Sequence, residues 1–123
     1  MKKQIEQLKE WNKACDIHTP SHFVALHKDR MRLRYDLLDE ENSEYVLADN
    51  HIELADALGD MLYVLVGTIV EHGLADKIEA VFDEIHRSNM TKVVNGKVKK
   101  RDDGKILKPS SYQKPNLENI LLQ

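Results

Sequence analysis

The residues best suited to chemistry in this 123-residue sequence are acidic and lie close together. Nine carboxylates and no Lys or Arg occur from Asp36 to Asp60. If this stretch is helical, a spacing of three residues places Glu41 and Glu44 on the same side of the helix. Oxygen ligands of this kind favour hard cations such as Mg²⁺ or Mn²⁺, which also bind phosphate oxygens and acidify water. The segment therefore predicts a divalent-cation site that could hold a polyphosphate.

A second acidic stripe follows on the next predicted helix. Glu53, Asp56 and Asp60 fall within roughly 60° of one another at about 100° per residue, and apolar residues flank them. We expect these carboxylates to face a partly buried groove, where unpaired charges would cost several kcal/mol. Protons, bound cations or basic side chains from elsewhere in the chain could each relieve that cost.

The elements that must position these carboxylates are predicted to be helices with short connections. Asn50 and Glu53 form a capping box that starts one helix, and Gly73 has the left-handed stop position that ends it. Thr19 and Pro20 have the form of a start for the preceding helix. Helical spacing of apolar residues predicts four helices, over roughly 3–15, 20–48, 51–72 and 75–90. The predicted fold class is an all-α, four-helix bundle type.

The charge divides the sequence into two parts of one predicted domain, residues 1–123. Residues 1–91, the predicted helical body, carry 10 basic and 18 acidic residues, a net charge of −8. Residues 92–123 carry 8 basic and 3 acidic residues, a net charge of +5. We expect an irregular basic arm here, with a possible small hairpin at Asn95-Gly96. Because this basic surface is a short tail, a nucleic-acid polymer is not an expected partner.

Hydropathy and cysteine usage exclude other classes of protein. The longest uncharged apolar run, Met61–Val70, has ten residues, whereas a spanning helix needs about 20. The N-terminus lacks the apolar core of a signal peptide. Cys15 is the only cysteine, so no internal disulfide can form. We therefore expect a cytoplasmic protein with no membrane partner.

The acidic motifs resemble a known pattern. Glu41-x-x-Glu44 followed by Glu53-x-x-Asp56 resembles the paired motifs of the all-α nucleoside triphosphate pyrophosphohydrolases, which include the MazG-like proteins. The blocks His86–Lys92 and Arg101–Lys108 are similar to the phosphoribosyl-ATP pyrophosphohydrolase-like MazG branch. The resemblance implies a MazG-like fold. Only eight residues separate Glu44 from Glu53, which implies a tighter turn than the family usually has.

The resemblance also implies an activity, a cofactor and a set of site residues. The expected reaction is Mg²⁺-dependent hydrolysis between the α- and β-phosphates of a nucleotide, with Mn²⁺ as a substitute ion. The expected metal ligands are Glu41, Glu44, Glu53 and Asp56, with Asp60 as a further ligand or an acceptor beside them. Glu40, together with Glu41, is the expected catalytic group that orients or deprotonates the attacking water. The expected contacts to the nucleotide substrate are Asn89, Lys92, Arg101, Lys105 and Lys108.

The assembly and several alternatives follow from the same residues. The third predicted helix is apolar almost all round over Met61–Val70, so we expect a homodimer or homotetramer. One alternative is the phosphoribosyl-ATP pyrophosphohydrolase of histidine biosynthesis. Another is a catalytically silent nucleotide- or metal-binding bundle, and a third is a structural bundle whose acidic stripe pairs with the basic arm.

Overall fold

The computed structural model describes residues 1–122, and its regular structure is helical. Within residues 1–122, sheet-like backbone pairing is limited to two isolated antiparallel bridges. None of the described helices is both long and apolar enough to cross a lipid bilayer. The all-α prediction is confirmed, and the five helices of the described residues are α1 (Lys2–Ala14), α2 (Lys28–Leu47), α3 (His51–Glu71), α4 (Ile78–Met90) and α5 (Glu118–Leu121).

The chain divides into two compact units. The N-terminal unit is Met1–Asp76 and contains α1, α2 and α3, whereas the C-terminal unit begins at Lys77 and contains α4 and α5. The predicted division into a body and an arm at residues 91 and 92 remains a prediction.

The core of the N-terminal unit forms around α3, which packs against both α1 and α2. Ile5 and Leu8 lie one helical turn apart on α1 and are buried, as are Ala57, Val66 and Val70 on α3. Each larger apolar side chain in such a position contributes about 1.5–3 kcal/mol when it is removed from water. The apolar stripe of α3 therefore fixes the helix that carries the second set of carboxylates.

A charged network joins α2 to α3 away from the acidic motifs. Glu71 is 3% exposed, and its two carboxylate oxygens lie 2.6 Å from Arg30 Nε and 3.0 Å from Arg34 Nη1. Arg34 also donates from Nε to Thr68 Oγ1 at 2.9 Å and from Nη2 to the Val64 carbonyl at 2.7 Å. Residues nearer the C-terminus of α2 therefore contact residues nearer the N-terminus of α3, which means that the two helices run antiparallel.

The start and end of α3 agree with the local signals in the sequence. The Asn50 side chain accepts a hydrogen bond from the Glu53 N–H at 2.9 Å, and Glu53 Oε2 accepts one from the Asp49 N–H at 2.9 Å. At the other end Gly73 has φ +68°, and a Cβ there would lie 2.0 Å from the carbonyl oxygen of His22. Only glycine fits this position, because both the backbone conformation and the close approach exclude a side chain.

The predicted helix over residues 20–48 is wrong in its first third. α2 begins at Lys28, and the His27 imidazole accepts a hydrogen bond from the Asp29 N–H at 3.2 Å. The preceding segment pairs instead with the end of α3, because the Val24 N–H donates to the His72 carbonyl at 2.8 Å and the Val24 carbonyl lies 2.8 Å from His72 Nδ1. These contacts are distant in sequence and override the local helix signal at Pro20.

The C-terminal unit consists of α4 and an arm hydrogen-bonded to it. Ser88 is buried, and its hydroxyl donates to the Gln113 carbonyl at 2.7 Å, while the Gln113 N–H donates to Thr91 Oγ1 at 2.8 Å. Asn95 and Gly96 have φ values of 53° and 74°, and they form the predicted tight turn. The helix expected from residue 75 begins at Ile78, since residues 75–77 form turns.

Candidate active site

Three carboxylates from α2 and α3 converge in the N-terminal unit. Glu41 and Glu44 on α2 and Asp60 on α3 each offer one oxygen, and these oxygens all lie within 4.8 Å of one another. We call these three residues the carboxylate cluster. The antiparallel packing of the two helices produces this meeting, since Glu41 lies about two turns beyond Arg34 on α2 and Asp60 about one turn before Val64 on α3. Asp60, expected only as an accessory residue, is thus a full member of the cluster.

Glu41 has the most perturbed environment in the cluster. Its side chain is partly buried, and its Oε2 atom is inaccessible to solvent and has no hydrogen-bond partner among the described residues. Burial is the main reason why the pKa of Glu41 is raised, and the carboxylates of Glu44, Asp60 and Glu40 raise it further. A buried acceptor without a donor, among other negative charges, is unfavourable.

The cluster fits a divalent cation. Three carboxylate oxygens at this spacing are hard ligands of the type that Mg²⁺ and Mn²⁺ prefer. Within residues 1–76 none of the three side chains forms an ion pair with a basic group. A cation held between them would supply a partner for the orphaned Glu41 oxygen and offset the mutual repulsion of the carboxylates.

The two remaining predicted ligands lie next to this cluster. Glu53 and Asp56 line a cavity of about 260 Å³ together with Glu44, Leu47 and Ala48. Glu44 therefore belongs both to the cluster and to this cavity. Glu53 has a second role, because one of its carboxylate oxygens accepts the backbone hydrogen bond that caps α3. Contrary to expectation, Glu44, Glu53 and Asp56 are exposed in the single chain rather than partly buried.

Glu40 lies on the exposed side of α2. Its carboxylate is close enough to Glu41 to contribute to the raised pKa of that residue. An exposed carboxylate next to the carboxylate cluster can accept a proton from water, which is the role expected for Glu40.

An apolar groove of about 670 Å³ adjoins the carboxylates on the same two helices. Tyr35 and Asn42 line it from α2, and Leu58, Leu62 and Leu65 line it from α3. Tyr35 and the three leucines are each between 45% and 58% exposed. Apolar side chains concentrated in this way on a monomer mark a binding surface.

The predicted substrate contacts lie in the C-terminal unit, where two of them share a partner. The ammonium groups of Lys92 and Lys108 lie 5.6 Å and 5.0 Å from the centre of the Tyr112 ring. Lys92 also donates to the side-chain oxygen of Asn89 at 3.0 Å. The predicted contacts Asn89, Lys92 and Lys108 therefore lie around the C-terminal end of α4.

The other two predicted contacts belong to the second turn of the arm. Arg101 forms a two-point ion pair with Asp103, which lowers the pKa of Asp103. The Lys105 N–H donates to Asp103 Oδ1 at 3.1 Å, and Gly104 between them has φ +86°. The Arg101 charge is thus already paired within the turn.

Two groups of charged residues, one in each unit, were not anticipated. The first is the network of Arg30, Arg34 and Glu71, which sets the register of α2 against α3. In the sequence this network is indicated by the single charged residue in the otherwise apolar second half of α3, together with two arginines that are four residues apart on α2. The second group is Lys97 and Lys99, which line a cavity of the arm with Lys92 and Lys108. Their signal in the sequence is the concentration of basic residues after the Asn95-Gly96 turn.

Comparison with known proteins agrees with the motifs. A search of curated proteins found no match to the chain. The sequence model of one family, described as phosphoribosyl-ATP pyrophosphohydrolase, matches residues 8–89. The match covers well over half of the chain and includes the whole acidic segment from Asp36 to Asp60. The chain therefore belongs to the phosphoribosyl-ATP pyrophosphohydrolase family, whose members are hydrolases that act on phosphoric anhydrides.

Proposed function

We propose that this protein is a Mg²⁺-dependent nucleotide pyrophosphohydrolase that cleaves between the α- and β-phosphates and releases a nucleoside monophosphate and pyrophosphate. The observation that carries the proposal is the convergence of Glu41, Glu44 and Asp60 within 4.8 Å, with a buried Glu41 oxygen that lacks a partner. Membership of a pyrophosphohydrolase family supports the same reaction class.

In this proposal the carboxylates have separate tasks. Glu41, Glu44 and Asp60 would hold the ion, and Glu53 and Asp56, which line the adjoining cavity with Glu44, remain predicted ligands. A bound divalent cation polarises phosphate oxygens and lowers the pKa of a coordinated water. Mn²⁺ substitutes for Mg²⁺ because it accepts the same oxygen ligands.

The remaining groups complete the reaction. Glu40 is exposed beside the cluster and accepts the proton of the attacking water. Asn89, Lys92, Lys105 and Lys108 of the C-terminal unit remain predicted contacts to the nucleotide, because hydrogen bonds and positive charge stabilise phosphate groups. Arg101, which is paired with Asp103, also remains a predicted contact to the nucleotide.

The family name fits phosphoribosyl-ATP as the substrate equally well. Both substrates contain the same α–β phosphoric anhydride, so the carboxylates would act in the same way on either. A pyrophosphate-release assay with Mg²⁺ that compares nucleoside triphosphates with phosphoribosyl-ATP distinguishes them. A nucleotide that binds without release of pyrophosphate would indicate instead a silent binding protein.

The decisive variant for this proposal is Glu41→Gln. The substitution removes one anionic ligand of the proposed cation. We therefore expect kcat/KM to fall at least about a hundredfold, equivalent to about 2.7 kcal/mol. Glu10→Gln is the matched control, because Glu10 is exposed on α1 and lies outside the cluster. Equal turnover by the two variants would refute the assignment.

We also propose that the protein forms a homodimer or homotetramer through the apolar groove. Leu58, Leu62 and Leu65 expose nearly half of their side chains along one face of α3. Burial of such a face by a second copy removes apolar surface from water at about 25 cal/mol per Å². The expected cytoplasmic location also remains a prediction.

A further inference from the structure

The C-terminal unit contains a cavity of about 670 Å³ whose charged lining is entirely basic. No carboxylate is among the described residues that line it, and the neutral side chains of Asn95 and Ser110 add polar groups. The four basic residues are Lys92, Lys97, Lys99 and Lys108. We call this the lysine cavity.

The charges of the lysine cavity are not neutralised within the protein. Over residues 1–122 none of its four lysines forms an ion pair with a carboxylate. Other basic residues of the same unit behave differently, since Arg87 pairs with Glu84 and Arg101 pairs with Asp103. Four like charges around one cavity repel each other, and attraction to a multiply charged anion would offset that repulsion.

The framework behind two of these lysines is hydrogen-bonded. Val94 and Lys97 exchange backbone hydrogen bonds of 2.8 Å and 3.1 Å across the Asn95-Gly96 turn, and the Leu107 N–H donates to the Lys99 carbonyl at 2.8 Å. Lys97 and Lys99 both line the cavity, and Val98 between them lines it as well.

An aromatic ring positions the other two lysines. Tyr112 lies within 5.6 Å of the Lys92 ammonium and 5.0 Å of the Lys108 ammonium. A cation–π contact of this kind contributes about 0.5–1 kcal/mol at exposed sites. Each ammonium group carries three N–H donors. At Lys92 one of them is donated to Asn89 Oδ1 at 3.0 Å, so the ring and Asn89 together leave at least one donor for an anion.

We propose that the lysine cavity binds a multiply charged phosphate anion, a diphosphate or triphosphate group, without a divalent cation. Lysine ammonium groups act as compact positive charges for phosphate, and the volume lies within the range of small-molecule sites. Identification of this anion with the phosphates of the reaction rests on the proposed function, whereas the binding itself does not. The inference adds Lys97 and Lys99 to the residues expected to contact phosphate.

Calorimetric titration of the full chain with sodium pyrophosphate in excess EDTA tests this proposal. We expect the double variant Lys97→Gln/Lys99→Gln to bind at least about tenfold more weakly, since it loses two charge-assisted contacts. The control is Lys100→Gln/Lys114→Gln, which removes the same charge from exposed positions of the arm outside the cavity. It should bind within about twofold of the parent protein.

Three results would overturn the proposal. They are absence of pyrophosphate binding by the parent protein, equal weakening in the two double variants, and equal affinity for pyrophosphate and adenosine monophosphate. Lys97→Arg/Lys99→Arg should restore binding, which separates loss of charge from loss of structure. Glu41→Gln should bind pyrophosphate normally in EDTA. Unchanged turnover in that variant would contradict the proposed function but leave the lysine cavity intact.

Discussion

Removal of the Glu71 carboxylate should destabilise the N-terminal unit more than any other single charge change. Glu71 is 3% exposed and lies between Arg34, 12% exposed, and Arg30, 34% exposed. Glu71→Gln leaves two guanidinium groups facing each other without an anion. Loss of one partner from a buried pair costs about 3–5 kcal/mol. Because Arg30 can turn toward solvent, we expect the lower end, about 3 kcal/mol.

Urea unfolding followed by circular dichroism measures this loss, with Glu10→Gln as the exposed control. The triple variant Arg30→Met/Arg34→Met/Glu71→Leu should recover much of the lost stability, because replacement of a whole buried ionic group by apolar residues is often neutral. A loss below about 1 kcal/mol in Glu71→Gln would refute the reasoning. In that case the network would not set the register that brings Glu41 to Asp60.

Three further predictions test separate parts of the structure. Gly73→Ala should lower the free energy of unfolding by about 2 kcal/mol or more, since it forces a strained φ and a clash with the His22 carbonyl; a urea midpoint equal to the parent's would contradict this. Arg87 lowers the pKa of Glu84 from 4.5 to about 2, so the stabilisation is complete above about pH 4.5 and is lost as the pH falls toward about 2. In Glu84→Gln the free energy of unfolding should depend less on pH in this range, and an unchanged pH dependence would rule out the ion pair as its cause. Leu62→Glu should dissociate the proposed oligomer in light-scattering measurements, and an unaltered mass would place the interface elsewhere.

Features encoded by neighbouring residues were predictable from the sequence. The capping box of Asn50 and Glu53, the stop at Gly73 and the turn at Asn95-Gly96 each depend on backbone chemistry within a few positions. The helical spacing of Glu41 and Glu44 is equally local, so their place on one face of α2 followed directly. The all-α class followed from the same short-range patterns.

Features that depend on distant contacts were not predictable in the same way. The start of α2 at Lys28 reflects pairing of Val24 with His72, which are 48 residues apart. Full membership of Asp60 in the carboxylate cluster depends on the register of α2 against α3, and a buried glutamate with two arginines sets that register. Tertiary packing, rather than local propensity, determines both the start of α2 and the register of the two helices.

Electron paramagnetic resonance of Mn²⁺ tests the central claim, that the carboxylate cluster holds a divalent cation. Free Mn²⁺ gives a sharp signal that is lost when the ion binds to protein. We expect the parent protein to remove this signal, Mg²⁺ to restore it by competition, and Glu41→Gln to leave most of the Mn²⁺ free under the same conditions. Equal loss of the signal with the parent protein and with Glu41→Gln would contradict the claim.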